Sequence, residues 1–199
     1  MSEHTFLEID TDGEIEKIIR QVHDLRDKIS SPVILQRAVK TTARKVRTQL
    51  VKDTKERYAL TDERGLKDPA KGAPRITSST GAAVSSTIRS KGPMQDIMAF
   101  LTQPNTKTGA AAAQVLNSGT AKQLAVDDLK AFVTRFSNGH TAIVQRRGAD
   151  RLPIKKLLSP AVPHMMGNEE VRAKAETLAV QILQKEIEKQ IKKANVARA

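Results

Sequence analysis

Apolar residues recur at offsets of three and four in three stretches of the chain. In the first, Ile15, Ile18, Ile19, Val22, Leu25 and Ile29 fall on one stripe, which predicts a helix facing a partner element. Ser30 and Ser31 then offer a turn and an N-cap, and Pro32 suits the first position of a helix, where its missing N–H costs nothing. The second helix is predicted from Pro32 to about Arg57, with Ile34 or Leu35, Ala38, Val39, Val46 and Leu50 inward. The third stripe is Val171, Ala175, Leu178, Ala179, Ile182 and Leu183. Asn168 is its N-cap, Glu169 and Glu170 suit its positive end, and Lys189, Lys192 and Lys193 its negative end.

Between these helices the period changes. Ala131 to Phe136 and Thr141 to Arg146 are β-prone runs joined through Asn138 and Gly139, which predicts a hairpin. Phe132, Thr134 and Phe136 share one face by period-two alternation, the expected packing face. Gly, Pro, Ser and Thr dominate from Thr61 to Pro93, which reads as a loop or arm holding one short strand over Ala82 to Arg89. Met94 to Leu101 is a short apolar run. Thr102 to Gly119 is a small-residue insertion whose four alanines, Ala110 to Ala113, are suited to a short helix. Pro153, Pro160 and Pro163 forbid a continuous helix before Asn168.

These elements give an α+β fold, with N-terminal helices, a small antiparallel sheet with a hairpin, and a C-terminal helix. Residues 1–31 form an acidic extension with the first helix. Residues 32–199 form a single domain with flexible segments at 61–93 and 102–128. With aromatics at 3% of 199 residues and no Trp, the core is expected to be thin and to lean on neighbouring subunits. Cys is absent, which excludes disulfides, zinc fingers and thiol catalysis. No run reaches the ~18 apolar residues of a membrane span. The first sixteen positions carry six acidic residues and no Lys or Arg, unlike a targeting peptide, so a soluble intracellular product is expected.

Net charge is +12, which points to an acidic partner or a place beside nucleic acid. From Pro32 to Lys52 the second helix carries Arg37, Lys40, Arg44, Lys45, Arg47 and Lys52 with no acidic residue. That face reads either as solvated charge or as contact with an acidic partner or DNA; a DNA contact would be electrostatic and sequence-blind, since no recognition motif or interleaved aromatics accompany it. A second cluster is Arg146, Arg147, Arg151, Lys155 and Lys156.

Catalytic signals are weak. No phosphate-binding glycine loop and no HExxH spacing is present among the four histidines. His140 beside Arg146 and Arg147 could be drawn as a base with phosphate clamps, but Asn138, Gly139 and His140 read better as turn residues. Asp127 and Asp128 could be a carboxylate pair, yet are more ordinary as loop or cap residues. The chain is expected to be no enzyme and to hold no cofactor or metal.

The run Ala131-Phe132-Val133, Asn138-Gly139-His140, Val144-Gln145-Arg146-Arg147, Arg151-Leu152-Pro153-Ile154 and Ser159-Pro160-Ala161-Val162-Pro163-His164-Met165 resembles the prophage minor tail protein Z family of tailed bacteriophages. The likeness extends in order over roughly Gln36 to Lys193, and its specific part is Phe132 to Met165; Thr102 to Asp128 and the acidic N-terminus depart from it. It implies a structural virion protein that completes the tail at its head-proximal end, in the neck, by assembly contacts around the DNA channel. The partners implied are identical copies in a ring, expected sixfold, the tail tube or terminator and head-tail connector proteins, and genomic DNA touched non-specifically. The contact residues implied are Arg146, Arg147, Arg151, Leu152, Pro153, Ile154, Pro160 and Pro163, with Arg37, Lys40, Arg44, Lys45, Arg47 and Lys52 facing DNA. Arg-Leu-Pro-Ile would be a rigid extended connector, or equally a linker packed on its own domain. The other reading is a cytosolic, sequence-nonspecific nucleic-acid-binding module.

Overall fold

The computed structural model describes residues 2–10, 32–80, 84–103, 111–126 and 129–196. The expected helix over Ile15 to Ile29, along with Ala82, Ala83, Ala110, Asp127 and Asp128, lies outside them. The fold is α+β. Helix α1 (Pro32–Arg57) and helix α4 (Glu169–Val196) pack along each other. They run antiparallel, since Lys45 pairs with Glu186 while Arg57 pairs with Glu170.

Both helices form where the apolar stripes place them. Ala38, Val39, Val46 and Leu50 of α1 and Val171, Ala175, Leu183, Ile187 and Ile191 of α4 enter one core cluster. Each fully buried Leu, Ile or Val there contributes about 1.5–3 kcal/mol. Asn168 caps α4: its side-chain oxygen accepts from the Glu170 N–H at 3.2 Å, and its carbonyl from the Arg172 N–H at 2.9 Å. At the other helix, the Asn117 side-chain amide donates to the Lys55 and Glu56 carbonyls and so satisfies the open C-terminal end of α1.

Strands β1 (Ser2–Asp10), β2 (Arg75–Thr80) and β3 (Val84–Gly92) make an antiparallel sheet in the order β1-β3-β2. Its central strand packs on α1, with Ile88 fully buried. The 61–93 stretch, expected as a loop or arm, thus contributes a short helix α2 (Arg64–Lys67) and two strands to the fold. Of these, β3 is the short strand expected over Ala82 to Arg89, while the Ser- and Thr-rich composition hides β2. The Ser86 and Ser78 hydroxyls bond each other at 2.8 Å, and the buried Ser90 hydroxyl donates to the Gly72 carbonyl, so polar side chains are accommodated inside. The β1 pairing joins the acidic extension to this sheet.

The remaining strands are short. β4 (Gln95–Asp96) pairs with β13 (Leu158–Ser159), and a 3-10 turn follows at Ile97–Ala99. β5 (Leu101–Gln103), β6 (Ala112–Gln114) and β7 (Lys122–Gln123) form one ladder, and β8 (Ala125–Val126) and β9 (Leu129–Lys130) another. The alanine run is therefore extended, not helical, over Ala112 and Ala113. Ala111, Ala113 and Ala131 fill a second core cluster with Ile97, Val133 and Ile143, where only small side chains fit, and this packing overrides the helix preference of Ala.

β10 (Phe132–Arg135) and β11 (Thr141–Arg146) form the expected hairpin, and β12 (Ile154–Lys156) adds to the far side of β11. The turn closes with Phe136 N–H to the His140 carbonyl at 2.8 Å and Gly139 N–H to the Phe136 carbonyl at 2.9 Å. Gly139 sits at φ +79°, the left-handed position that this three-residue loop requires. The packing face is the opposite of the expected one. Val133 is buried in the second cluster, whereas Phe132 and Thr134 are half-buried and Phe136 is 37% exposed. Val133 has Ala111, Ala131 and Ile143 to pack on, and that decides the register of the sheet. A short helix α3 (Val162–Met166) then leads into α4.

Candidate functional site

Two surfaces stand out. The first is the outer face of α1. Arg37, Lys40, Arg44, Lys45, Arg47 and Lys52 are all exposed, as their offsets from the buried stripe require. Lys45 alone among them has an ion-pair partner among the described residues, the Glu186 carboxylate, whose side chain is only 5% exposed. Arg37, Lys40 and Arg44 line a groove of about 360 Å³ that Thr41 shares with Gln190 and Lys193 of α4. No carboxylate of the described residues lines it. Lys193 joins the cluster because the helices are antiparallel, a relation across the whole chain that local spacing does not reveal. Farther along α1, Arg47 and Lys52 border a separate cleft with Lys55, Lys67 and Arg75.

The carboxylates near that end of α1 are engaged locally. Glu63 pairs with Lys55 and, at 3.4 Å, with Lys67. Lys55 leads the causes that lower the Glu63 pKa. Arg64 holds Asp62 through its side chain and its backbone N–H and lowers that carboxyl to about 2. Lys174 and Arg57 lower Glu170 in the same way, and Glu170 raises Lys174. None of these carboxylates neutralises Arg37, Lys40, Arg44, Arg47 or Lys52.

The second surface surrounds the hairpin. Lys156 Nζ lies 2.8 Å from Asp96 Oδ2 and 3.1 Å from His140 Nε2, and His140 Nε2 is 3.6 Å from the same carboxylate oxygen. Asp96 holds its other oxygen to the Met98 N–H at 3.1 Å. Strand pairing puts Leu158 directly opposite Asp96, and the Phe136 ring stacks on His140 at 6.4 Å between centroids. Phe136 and Leu158, with Met94 two residues before Asp96, thus rim one polar cluster; Met94 is 56% exposed and Leu158 47%. Sequence reading singled out His140 but missed Asp96, Met94 and Leu158, which separate strands bring to it.

The remaining contact residues divide. Arg146 lies over the Phe132 ring, 5.8 Å from its centroid. The backbone N–H of Arg147 donates to the Pro153 carbonyl at 3.1 Å, which closes the loop between β11 and β12. Within that loop Arg151, Leu152 and Pro153 are exposed, and Leu152, before a cis peptide bond to Pro153, shows 66% of its surface. Ile154 is half-buried and paired with Arg146, so Arg-Leu-Pro-Ile is a hairpin return rather than an extended connector or a strand-to-helix linker. Pro160 is exposed. Pro163 is buried, with Val162, against Gly72 and cannot meet a partner: a Cβ at Gly72 would lie 3.1 Å from each of them. Among the described residues no group of three or more His, Asp or Glu side chains is placed to hold a metal ion, and no helix is long and apolar enough to cross a membrane.

No protein-family model, no curated protein and no solved structure matches the chain.

Proposed function

We propose that this chain is a structural subunit of a tailed-bacteriophage virion, a tail-completion or minor tail protein in the neck, acting through assembly contacts around the DNA channel. The likeness of Phe132 to Met165 to the minor tail protein Z family suggests the setting. The observation that carries the assembly role is the exposed apolar rim of Phe136, Met94 and Leu158 around the Asp96–His140–Lys156 cluster. Large apolar side chains gathered on one surface mark an interaction site, and a subunit of a ring buries such a surface against its neighbour.

Light scattering of the purified chain tests this reading together with imaging of the virion. Oligomers are expected, and Phe136→Ser with Leu158→Ser should dissolve them while the circular dichroism spectrum stays unchanged. A strictly monomeric chain with no copy at the neck would overturn the proposal.

The cationic face of α1, where Lys45 alone of six cations has an ion-pair partner among the described residues, favours a second reading, a sequence-nonspecific nucleic-acid-binding module acting in the cytosol. Duplex DNA binding would then weaken steeply with salt, and each phosphate-contacting cation removed would lower the log–log slope by about 0.9. Absent or salt-insensitive binding removes it.

A further inference from the structure

A cleft of about 510 Å³ opens between the second half of α1 and the segment running from α2 to the start of β2. Its rim carries Arg47, Lys52, Lys55, Lys67 and Arg75, and no carboxylate of the described residues lines it. Glu63 nearby serves Lys55 and Lys67 together, one carboxylate against two ammonium groups. Arg47, Lys52 and Arg75 have no ion pair among the described residues. The lining between these cations is aliphatic: Val51 is half-buried, and Leu66, Ala73 and Pro74 are buried.

That combination selects among acidic ligands. A nucleic acid could satisfy the rim with phosphates, but its bases would find no aromatic ring in the lining to stack on, and its sugars offer oxygen-bearing rings rather than branched alkyl groups for the floor. A chain of carboxylates interleaved with aliphatic side chains answers both parts. Carboxylates reach the guanidinium and ammonium groups, and the branched side chains between them cover the half-buried Val51 and the exposed Pro69 of the lining. We propose that this cleft is a docking site for an acidic, aliphatic peptide segment of a partner protein. The assignment stands apart from the phage-tail reading, since it rests on the chemistry of the cleft alone.

Fluorescence anisotropy with the full chain tests it, using a short labelled peptide that alternates Glu and Val. A peptide alternating Glu and Ser and a single-stranded oligothymidylate of equal charge serve as competitors for the same cations. The Glu–Val peptide should bind about tenfold or more tightly than the Glu–Ser peptide, because only the first covers the floor. Arg47→Glu and Arg75→Glu, both at exposed side chains, should each weaken it about tenfold or more. Arg37→Glu, in the separate groove, should change it less than about twofold. Equal affinity for the two peptides would overturn the proposal by reducing the cleft to a plain polyanion surface. Tighter binding of the oligonucleotide would overturn it in favour of nucleic acid. Binding that is absent, or indifferent to both cleft substitutions, would also overturn it. The two cleft variants lie on different elements, so a folding defect in one leaves the other to decide.

Discussion

Gly92 rests against Gly72 so closely that a Cβ on it would stand 2.8 Å from the Gly72 Cα and 2.4 Å from the Lys71 carbonyl oxygen. Gly72 in turn adopts φ +115°, a conformation that side chains rarely tolerate. The pair lets β3 slide under the turn that precedes β2, with Val162 and Pro163 closing over it. Gly92→Ala should therefore cost about 1–3 kcal/mol, read as a lower urea midpoint. Gly148→Ala, where nothing lies within 4 Å, should stay within about 0.5 kcal/mol.

Among the described residues, Lys45 is the only partner of the carboxylate of Glu186, which is 4% exposed as a residue. Lys45→Ala strands that carboxylate in a buried place and should destabilise the chain by about 1–3 kcal/mol. Lys40→Ala, one turn away at an exposed position, should change stability by less than about 0.5 kcal/mol. Chemical denaturation of the two variants side by side measures the difference.

Arg44 stands among like charges at three- and four-residue offsets, with Lys40 on one side and Arg47 on the other. Arg44→Glu turns two repulsive pairs into attractive ones, each pair being worth about 0.2–0.5 kcal/mol. Thermal unfolding should occur at a higher temperature in this variant while retention on a heparin column falls.

The two faces of β10 give a further test. Val133→Ala should cost about 1–3 kcal/mol because it opens a cavity beside Ala111 and Ile143. Phe136→Ser should leave unfolding of the dilute chain within about 0.5 kcal/mol. Urea titrations at a concentration where the protein is monomeric separate the two.

The positions of α1 and α4, the Asn168 cap and the hairpin could be read from the chain because each depends on neighbours within a few residues: Asn168 before Glu169 and Glu170, or Asn138 and Gly139 between two β-prone runs. The packing face of β10 could not, since it is decided by Ala111, Ala131 and Ile143, which local alternation does not see. Strand β3 matches the short strand expected over Ala82 to Arg89, but β2 was hidden for a related reason, as serines paired across the sheet look like loop residues when read singly. Of the candidate surfaces, the cations of α1 were legible from helical spacing. Lys193, Lys67 and Arg75 were not, because only the tertiary arrangement brings them beside α1.

Acid should weaken the segment around α2. Arg64 lowers the Asp62 carboxyl from its ordinary 3.8 to about 2, so the folded chain holds the charged form more firmly than the unfolded chain does. The resulting stability is in place above the ordinary value and is lost as pH falls from near 4 through 2. At this solvent-accessible site it amounts to less than about 1 kcal/mol. Urea midpoints measured across that range should fall less steeply in Asp62→Asn.

The antiparallel pairing of α1 with α4 also sets an order of events during synthesis. Ala38, Val39, Val46 and Leu50 emerge from the ribosome long before the segment that shields them, so the nascent polypeptide passes through an interval with an oily ridge uncovered. Chaperones that hold exposed apolar segments would find their substrate in that interval, and a stop codon ahead of Val171 would prolong it indefinitely.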